Sequence, residues 1–170
     1  DLVAEYLDRV IQTASLAIQQ YSKVFAFRFD LHFPAGLQYG DNIANTHLLN
    51  FLERFNAILQ VNRKGKGHGT KVRYIWVREF GQNQNTHYHL AMMLNGNAYS
   101  TLGYIEIGSD NLFNRIVDAW ARALGITIDE ASGCVHIPDN ACYRLSRYDV
   151  KTTGSFIRRL SYLCKTKTKQ

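Results

Sequence analysis

Residues 74–94 read YIWVREFGQNQNTHYHLAMML, and this stretch decides the fold. Two apolar, aromatic-rich runs flank a break rich in glycine, asparagine and glutamine, a pattern typical of two antiparallel strands joined by a short loop. Side chains alternate between the two faces of a strand, so His87 and His89 lie on one face. With the turn centred on Asn83, Glu79 lies directly across from His87. The hairpin therefore predicts two imidazoles and a carboxylate on one face of a sheet.

These three side chains form a candidate metal site. Two neutral nitrogens and one carboxylate oxygen leave coordination positions open, as a catalytic metal requires and a closed structural site does not. The alternative is a His-x-His pair that lies on a strand without any metal. We predict that Glu79, His87 and His89 bind a divalent cation. The mixed donors suit Mn²⁺ or Mg²⁺ and also permit Zn²⁺, and the sequence does not choose among them.

A second candidate group lies on the last predicted helix, residues 153–165. At about 100° per residue, apolar side chains that include Cys164 form one face, and Tyr162 and Lys165 fall on the opposite face. A core tyrosine would share the apolar stripe, so Tyr162 belongs either to a solvated basic face or to a functional site. Lys165 lies three residues further on and would favour the phenolate form of Tyr162. A phenolate beside a metal-bound phosphate can attack it and form a phosphotyrosine.

In this order, the His-x-His motif at residues 87–89 and the Tyr-x-x-Lys motif at 162–165 resemble the HUH endonucleases. This superfamily comprises rolling-circle replication initiators and relaxases. The segment FIRRLSYLCK at 156–165, with VHIP at 135–138 and YRL at 143–145 before it, more closely resembles the replication-initiator-like family of filamentous phages and prophages. The likeness covers nearly the whole chain.

The resemblance implies a five-stranded, palm-like sheet, with the histidine pair on a central strand and the tyrosine helix across the exposed face. It implies that Tyr162 attacks a DNA phosphodiester and leaves a 3′-hydroxyl and a 5′-phosphotyrosyl link. Lys165 would stabilise the phenolate or position the phosphate, and Glu79 would be the third metal ligand. The implied activity is metal-dependent nicking and joining of single-stranded DNA at the start of rolling-circle replication of a phage or prophage. Only one tyrosine occupies the motif, so schemes that exchange strands between two tyrosines are not supported.

The composition fits a folded domain with a basic surface. The 170 residues are 46% hydrophobic and 12% aromatic, enough for a sizeable core and too much for a disordered chain. The formal net charge of +6 is compatible with a nucleic acid or an acidic surface as partner. The alternative for any single basic run is a solvated surface. We predict DNA contacts at the following residues: Arg28, Arg63, Lys64, Lys66, Lys71, Arg158, Arg159 and Lys169.

The sequence also bears on cellular context. No apolar run approaches the roughly 18 residues of a membrane span, and nothing resembles a signal peptide. Three cysteines without a C-x-x-C pair argue against a disulfide framework and favour a reducing cytoplasm. We therefore expect a protein of the bacterial cytoplasm without a membrane partner, which acts on single-stranded or origin DNA alongside a host replication helicase or polymerase. The chain begins inside a predicted helix at residues 1–22, so we expect it to be part of a longer protein.

The remaining periodicities predict one α+β domain over residues 1–170. Residues 23–33 alternate, with phenylalanines on a core face and Arg28, Asp30 and His32 on the face expected to bear the site. Helices are expected after caps at Asn45-Thr46 and Ser109, and short strands between 134 and 148. This order of elements predicts an antiparallel sheet of about five strands with helices packed chiefly on one face.

Two other functions are compatible with the same residues. A non-catalytic DNA-binding or replication-accessory module would keep the fold and the basic clusters and would not need a metal. A relaxase or single-strand transposase would use the same chemistry on a different DNA substrate. Mn²⁺ binding that depends on His87 and His89 would separate the enzymes from the non-catalytic module.

Overall fold

A computed structural model describes residues 2–37, 39–81 and 85–167, with side chains as far as Cys164. Helices are interspersed with single strands and strand pairs along the chain, as expected for an α+β domain. The elements are α1 (Leu2–Gln20), β1 (Val24–His32), α2 (Asp41–Arg63), β2 (Arg73–Phe80), β3 (Thr86–Asn95), α3 (Leu112–Leu124), α4 (Ile128–Ser132), β4 (Val135–His136), β5 (Cys142–Leu145) and α5 (Val150–Lys167).

The strands form one open, five-stranded antiparallel sheet, as the sequence predicts. Its order is β2-β3-β1-β4. β4 pairs with β1 at Asp30 and Leu31, and β5 pairs with the same edge of β1 at residues 24–27. The histidine strand β3 therefore lies between β2 and β1. All nine residues of β1 pair with β3, which makes these two strands the frame of the domain.

Helices cover both faces of the sheet, which corrects the expectation that they pack chiefly on one. Helices α2 and α3 pack over the face that carries Phe25, Phe27 and Phe29. Helices α1 and α5 pack over the other face, on Val24 and Ala26. Since both of these β1 residues are apolar, this second face also had to be shielded from water, and β1 is buried along almost its whole length.

Two helix starts differ from the sequence prediction. Helix α2 begins at Asp41, ahead of the predicted cap at Asn45. Helix α3 is capped by Asn111, whose side chain accepts a backbone hydrogen bond in the first turn, and not by Ser109. Helix α3 ends at Gly125, which takes the left-handed conformation (φ 69°) that ends many helices. None of the helices in the described ranges is long and apolar enough to cross a lipid bilayer.

The sheet face under α1 and α5 changes character along its strands. Near the start of β1 it is apolar and buried, with Ala26 opposite Met93. Towards the end of β1 and the start of β3 it becomes polar, because the residues there are Asp30, His32, His87 and His89. The polar end of this face carries the candidate site.

Candidate metal centre

The three predicted ligands come together at the polar end of the sheet. Glu79 on β2 pairs with His87 on β3, as the sequence predicts, although the centre of the turn at Asn83 lies outside the described residues. His87 Nε2 lies 3.2 Å from Glu79 Oε2, and His89 Nε2 makes a short hydrogen bond to the same oxygen. One ligand atom from each residue lies within 4.8 Å of the other two. The predicted grouping is therefore present, in a geometry that can hold a metal ion.

Asp30 accepts a hydrogen bond from the ring nitrogen of His89 that does not contact Glu79. Its Oδ1 lies 2.7 Å from His89 Nδ1, and the two residues are direct cross-strand partners on β1 and β3. A carboxylate that accepts the Nδ1–H bond leaves Nε2 as the coordinating nitrogen, a common support for metal-binding histidines. The alternation of residues along β1 predicts that Asp30 lies on the site-bearing face, but it does not predict the contact with His89. Asp30 alternates with Arg28 and His32, which indicates its face of the sheet. Its contact with His89 follows from the pairing of β1 with β3, which the sequence does not show.

Two further histidines border the cluster. The His32 ring stacks on His87 with centroids 4.8 Å apart and planes at 10°, which fits its expected place near the site. Its backbone carbonyl accepts a hydrogen bond from Trp120 Nε1 at 2.8 Å. His136 is the cross-strand partner of Asp30 on β4 and is exposed. The polar end of the face thus extends from β2 to β4.

The hydrogen bonds of the cluster shift the pKa values of its members in opposite directions. Burial alone would raise the pKa of Asp30 and Glu79, but hydrogen bonds from His89 and its charge hold the pKa of both carboxyls below the usual range. Burial alone would lower the pKa of His89, but its hydrogen bonds to the two carboxylates raise it. Burial and the neighbouring His87 lower the pKa of His32. In the absence of a metal, the preferred arrangement is therefore an imidazolium between two carboxylates.

The same side chains fit a divalent cation. Coordination requires the neutral imidazole, so a cation takes the place of the proton that His89 Nε2 donates to Glu79. Asp30 keeps the Nδ1 proton in place, and Glu79 Oε2 already contacts both Nε2 atoms. Two nitrogens and one carboxylate leave room for water or phosphate oxygens, as Mn²⁺, Mg²⁺ and catalytic Zn²⁺ require.

Tyr162 lies on α5, which packs on the same face of the sheet as the metal ligands. Phe156 and Leu160 are fully buried against that face. Tyr162 follows Leu160 by about 200° around the helix and is 60% exposed, which confirms its predicted place off the apolar stripe. Lys165 belongs to α5, but its side chain lies outside the described part of the chain. Cys164 is buried, as predicted.

Arg28 lies beside the cluster but below the surface. It is 8% exposed, and its Nη2 is 3.9 Å from Asp30 Oδ1. Burial lowers the pKa of its guanidinium, and the Asp30 charge opposes that shift. Because α1 and α5 cover this part of β1, Arg28 is not on the exposed surface where a DNA contact was predicted, which corrects that assignment.

The basic loop after α2 lies at the far end of β2 from the cluster. The stretch of β2 from Arg73 to Glu79 spans roughly 20 Å of extended strand, so the loop does not flank the metal cluster. Arg63 is used to close this loop, because its Nε donates to His68 O at 2.6 Å and its Nη1 donates to Ala98 O at 3.3 Å. The lysines predicted to bind DNA are exposed: Lys64, Lys66 and Lys71.

The two arginines of α5 differ in their surroundings. Arg158 is exposed. Arg159 is half-buried, and its guanidinium donates to the carbonyl oxygens of Asp139 and Asn140. Arg159 therefore ties α5 to the turn between β4 and β5. Lys169 lies outside the described residues.

Comparison with known proteins identifies relatives over the whole chain. Residues 1–170 match the family model described as the YagK/YfjJ C-terminal domain. The chain is similar to the uncharacterized protein YfjJ of Escherichia coli K12, with 30% identity over 184 residues, which cover 98% of this chain and 88% of YfjJ. It is also similar to the uncharacterized protein YagK of the same strain, with 30% identity over 182 residues, 98% of this chain and 87% of YagK. No solved structure matches the chain significantly.

Proposed function

The chain belongs to the YagK/YfjJ C-terminal domain family, and we propose that it is a metal-dependent enzyme that nicks and joins single-stranded DNA. The observation that carries this proposal is a three-ligand cluster on the sheet face that the helix of Tyr162 covers. The proposed biological role is the start of rolling-circle replication of a phage or prophage, as in the HUH endonucleases that the motifs resemble.

Each residue of the site has a defined part in the proposed reaction. Glu79, His87 and His89 would hold a divalent cation, which would supply positive charge next to the scissile phosphate. The Tyr162 phenol loses its proton, and its oxygen attacks the phosphorus atom. The bond from phosphorus to the 3′-oxygen breaks, and that oxygen takes up a proton to become a 3′-hydroxyl. The other DNA end stays on Tyr162 as a 5′-phosphotyrosine, with Lys165 stabilising the phenolate.

The exchange conserves a phosphate ester, because one phosphodiester replaces another and no water is consumed. Attack of a 3′-hydroxyl on the phosphotyrosine reverses the step and joins the strands. The exposure of Tyr162 supports this role, since a nucleophile for DNA has to be open to a long substrate. The Asp30 contact supports the metal role of His89, because it selects the coordinating nitrogen.

A second candidate is a DNA-binding or replication-accessory module without turnover. The observation that favours it is the complete ion-pair network of Glu79, His89 and Asp30, which can stabilise the sheet without any metal. A relaxase or single-strand transposase would use the proposed chemistry on another DNA substrate. Mn²⁺ affinity that depends on both histidines separates the enzyme from the accessory module.

The proposal is tested by trapping the covalent adduct. The protein is incubated with Mn²⁺ and a pool of labelled single-stranded oligonucleotides of random sequence, and adducts are resolved on a denaturing gel. We expect an adduct with the unmodified chain and none with Tyr162→Phe, which should still bind Mn²⁺ in calorimetry. The matched control is Tyr148→Phe, a tyrosine that is 88% exposed and outside the motif. An adduct that survives Tyr162→Phe, or Mn²⁺ binding that survives His87→Ala and His89→Ala, overturns the proposal.

A further inference from the structure

Strand β2 stands at an edge of the sheet. In the described part of the chain its only strand partner is β3, so every second residue of β2 directs its backbone N–H and C=O groups outwards. Natural proteins commonly protect such edges with short strands or prolines. β2 has eight residues and no proline, so it can accept another strand.

Grooves flank this edge on both faces of the sheet. A groove of about 630 Å³ lies between α1 and residues 74–77, and Ile75 and Val77 line it. A second groove, of about 360 Å³, lies between α2 and the start of β2. Tyr74 lines both grooves and is 41% exposed. Side chains of an added strand alternate between the two faces. The first groove lies along residues 74–77, and the second reaches β2 only at Tyr74.

The sequence of β2 is complementary to itself in one antiparallel register. Opposed residues of antiparallel strands lie on the same face of the sheet. A twofold axis between two copies of β2 therefore has to set one residue opposite its own copy, which is called here the residue on the axis. With Trp76 on the axis, the opposed pairs are Arg73 with Glu79, Tyr74 with Arg78, and Ile75 with Val77. These pairs join opposite charges, a cation with an aromatic ring, and two β-branched apolar side chains.

The neighbouring registers are poorer. With the axis on Ile75, Arg73 would lie opposite Val77, and with the axis on Val77, Ile75 would lie opposite Glu79. Each of these places a charge against an apolar side chain.

We propose that two copies of this chain associate through their β2 edges, antiparallel and with Trp76 on the twofold axis. The two sheets then form one continuous sheet, and each Arg73 lies opposite Glu79 of the second copy. Because six residues of strand separate these positions, the two metal centres lie on the same face, roughly 20 Å apart along the strands. The association shares Glu79 with the proposed metal centre, so its test measures the oligomeric state and not metal binding.

Charge exchange tests both the interface and its register. Sedimentation velocity of the unmodified chain over a concentration series should show a monomer–dimer equilibrium. Arg73→Glu should raise the dimer dissociation constant by about tenfold or more, because it sets like charges opposite each other twice. The double variant Arg73→Glu with Glu79→Arg should restore the dimer, which a loss of folding would not do. The control is Lys151→Glu, an exposed charge reversal at the start of α5.

Hydrogen exchange of the unmodified chain gives a readout that needs no variant. Amides of β2 should exchange more slowly in the concentrated protein than in the dilute protein, and amides of α3 should not change. A chain that stays monomeric at every concentration overturns the proposal. So does a dimer that tolerates Arg73→Glu, that the double variant does not restore, or whose β2 amides exchange at the same rate as in the monomer.

Discussion

Asp30→Asn should weaken Mn²⁺ binding by about 10- to 100-fold, the usual effect of losing a carboxylate behind a metal-binding histidine. That loss corresponds to about 1.4–2.8 kcal/mol. Asp30 Oδ1 lies 2.7 Å from His89 Nδ1, and the carboxylate both orients the ring and makes Nε2 more basic. An amide has nearly the same shape, so the predicted loss comes from the missing charge. Arg28, 8% exposed, loses its nearest carboxylate as well, so the variant should also lose about 1–3 kcal/mol of folding stability.

Calorimetric titration with MnCl₂, at a temperature where both proteins are folded, measures this effect. The matched control is Asp8→Asn, which removes the same charge from an exposed position on α1 and should bind Mn²⁺ like the unmodified chain. His89→Ala, which removes the ligand itself, sets the lower limit of affinity. If Asp30→Asn binds Mn²⁺ as tightly as the unmodified chain while His89→Ala does not bind, then Asp30 does not support the metal ligand and the reasoning is refuted.

Mn²⁺ affinity should fall by about tenfold per pH unit below the raised pKa of His89, since the cation has to displace one proton there; titrations over a pH series measure this. In the metal-free protein, the raised pKa of His89 stabilises the fold at low pH and this contribution is lost as pH rises through that pKa. The lowered pKa values of Asp30 and Glu79 stabilise the fold at pH values above about 4, the pKa of these carboxyls in the unfolded chain, and this contribution is lost as pH falls. Urea unfolding should therefore show the largest stabilisation by Asp30, Glu79 and His89 at pH values between the pKa of the carboxyls and the pKa of His89. Phe156→Ala should cost about 3–5 kcal/mol in urea unfolding, because the side chain is fully buried under α5. Val150→Ala, 80% exposed on the same helix, should change stability by less than about 0.5 kcal/mol.

The hairpin of β2 and β3 could be predicted because its information is local. Alternation, the polar break and the equal distance of Glu79 and His87 from the turn define the register within some twenty residues of sequence. The partner of β3 on its other side could not be predicted in the same way. β1 lies more than fifty residues away along the chain, and strand periodicity carries no information about which strands become neighbours. Asp30 therefore appeared as a polar residue on the correct face, without its contact to His89.

Other differences arise because one residue pattern serves several structures. Asn45 resembles a helix cap, but its side chain accepts a hydrogen bond from Tyr88 Oη inside a helix that begins earlier. The basic loop has the composition of a DNA contact, but composition does not determine at which end of a strand a loop lies. The sequence does contain an indication that helices cover both faces of the sheet. Val24 and Ala26 are apolar, and they lie on the face that was expected to carry fewer helices.

The two halves of the candidate site differ in how the fold holds them. The ligand cluster is fixed by backbone pairing, because Glu79, His89 and Asp30 lie on three adjacent strands joined in continuous register. Tyr162 depends on α5, whose position over the sheet is set by a short buried stripe that includes Phe156. Weakening that stripe leaves the strand pairing intact, and so leaves the metal ligands in place. Metal binding and strand transfer are therefore expected to fail separately, with the first sensitive to the sheet and the second sensitive to both the sheet and the seating of the terminal helix.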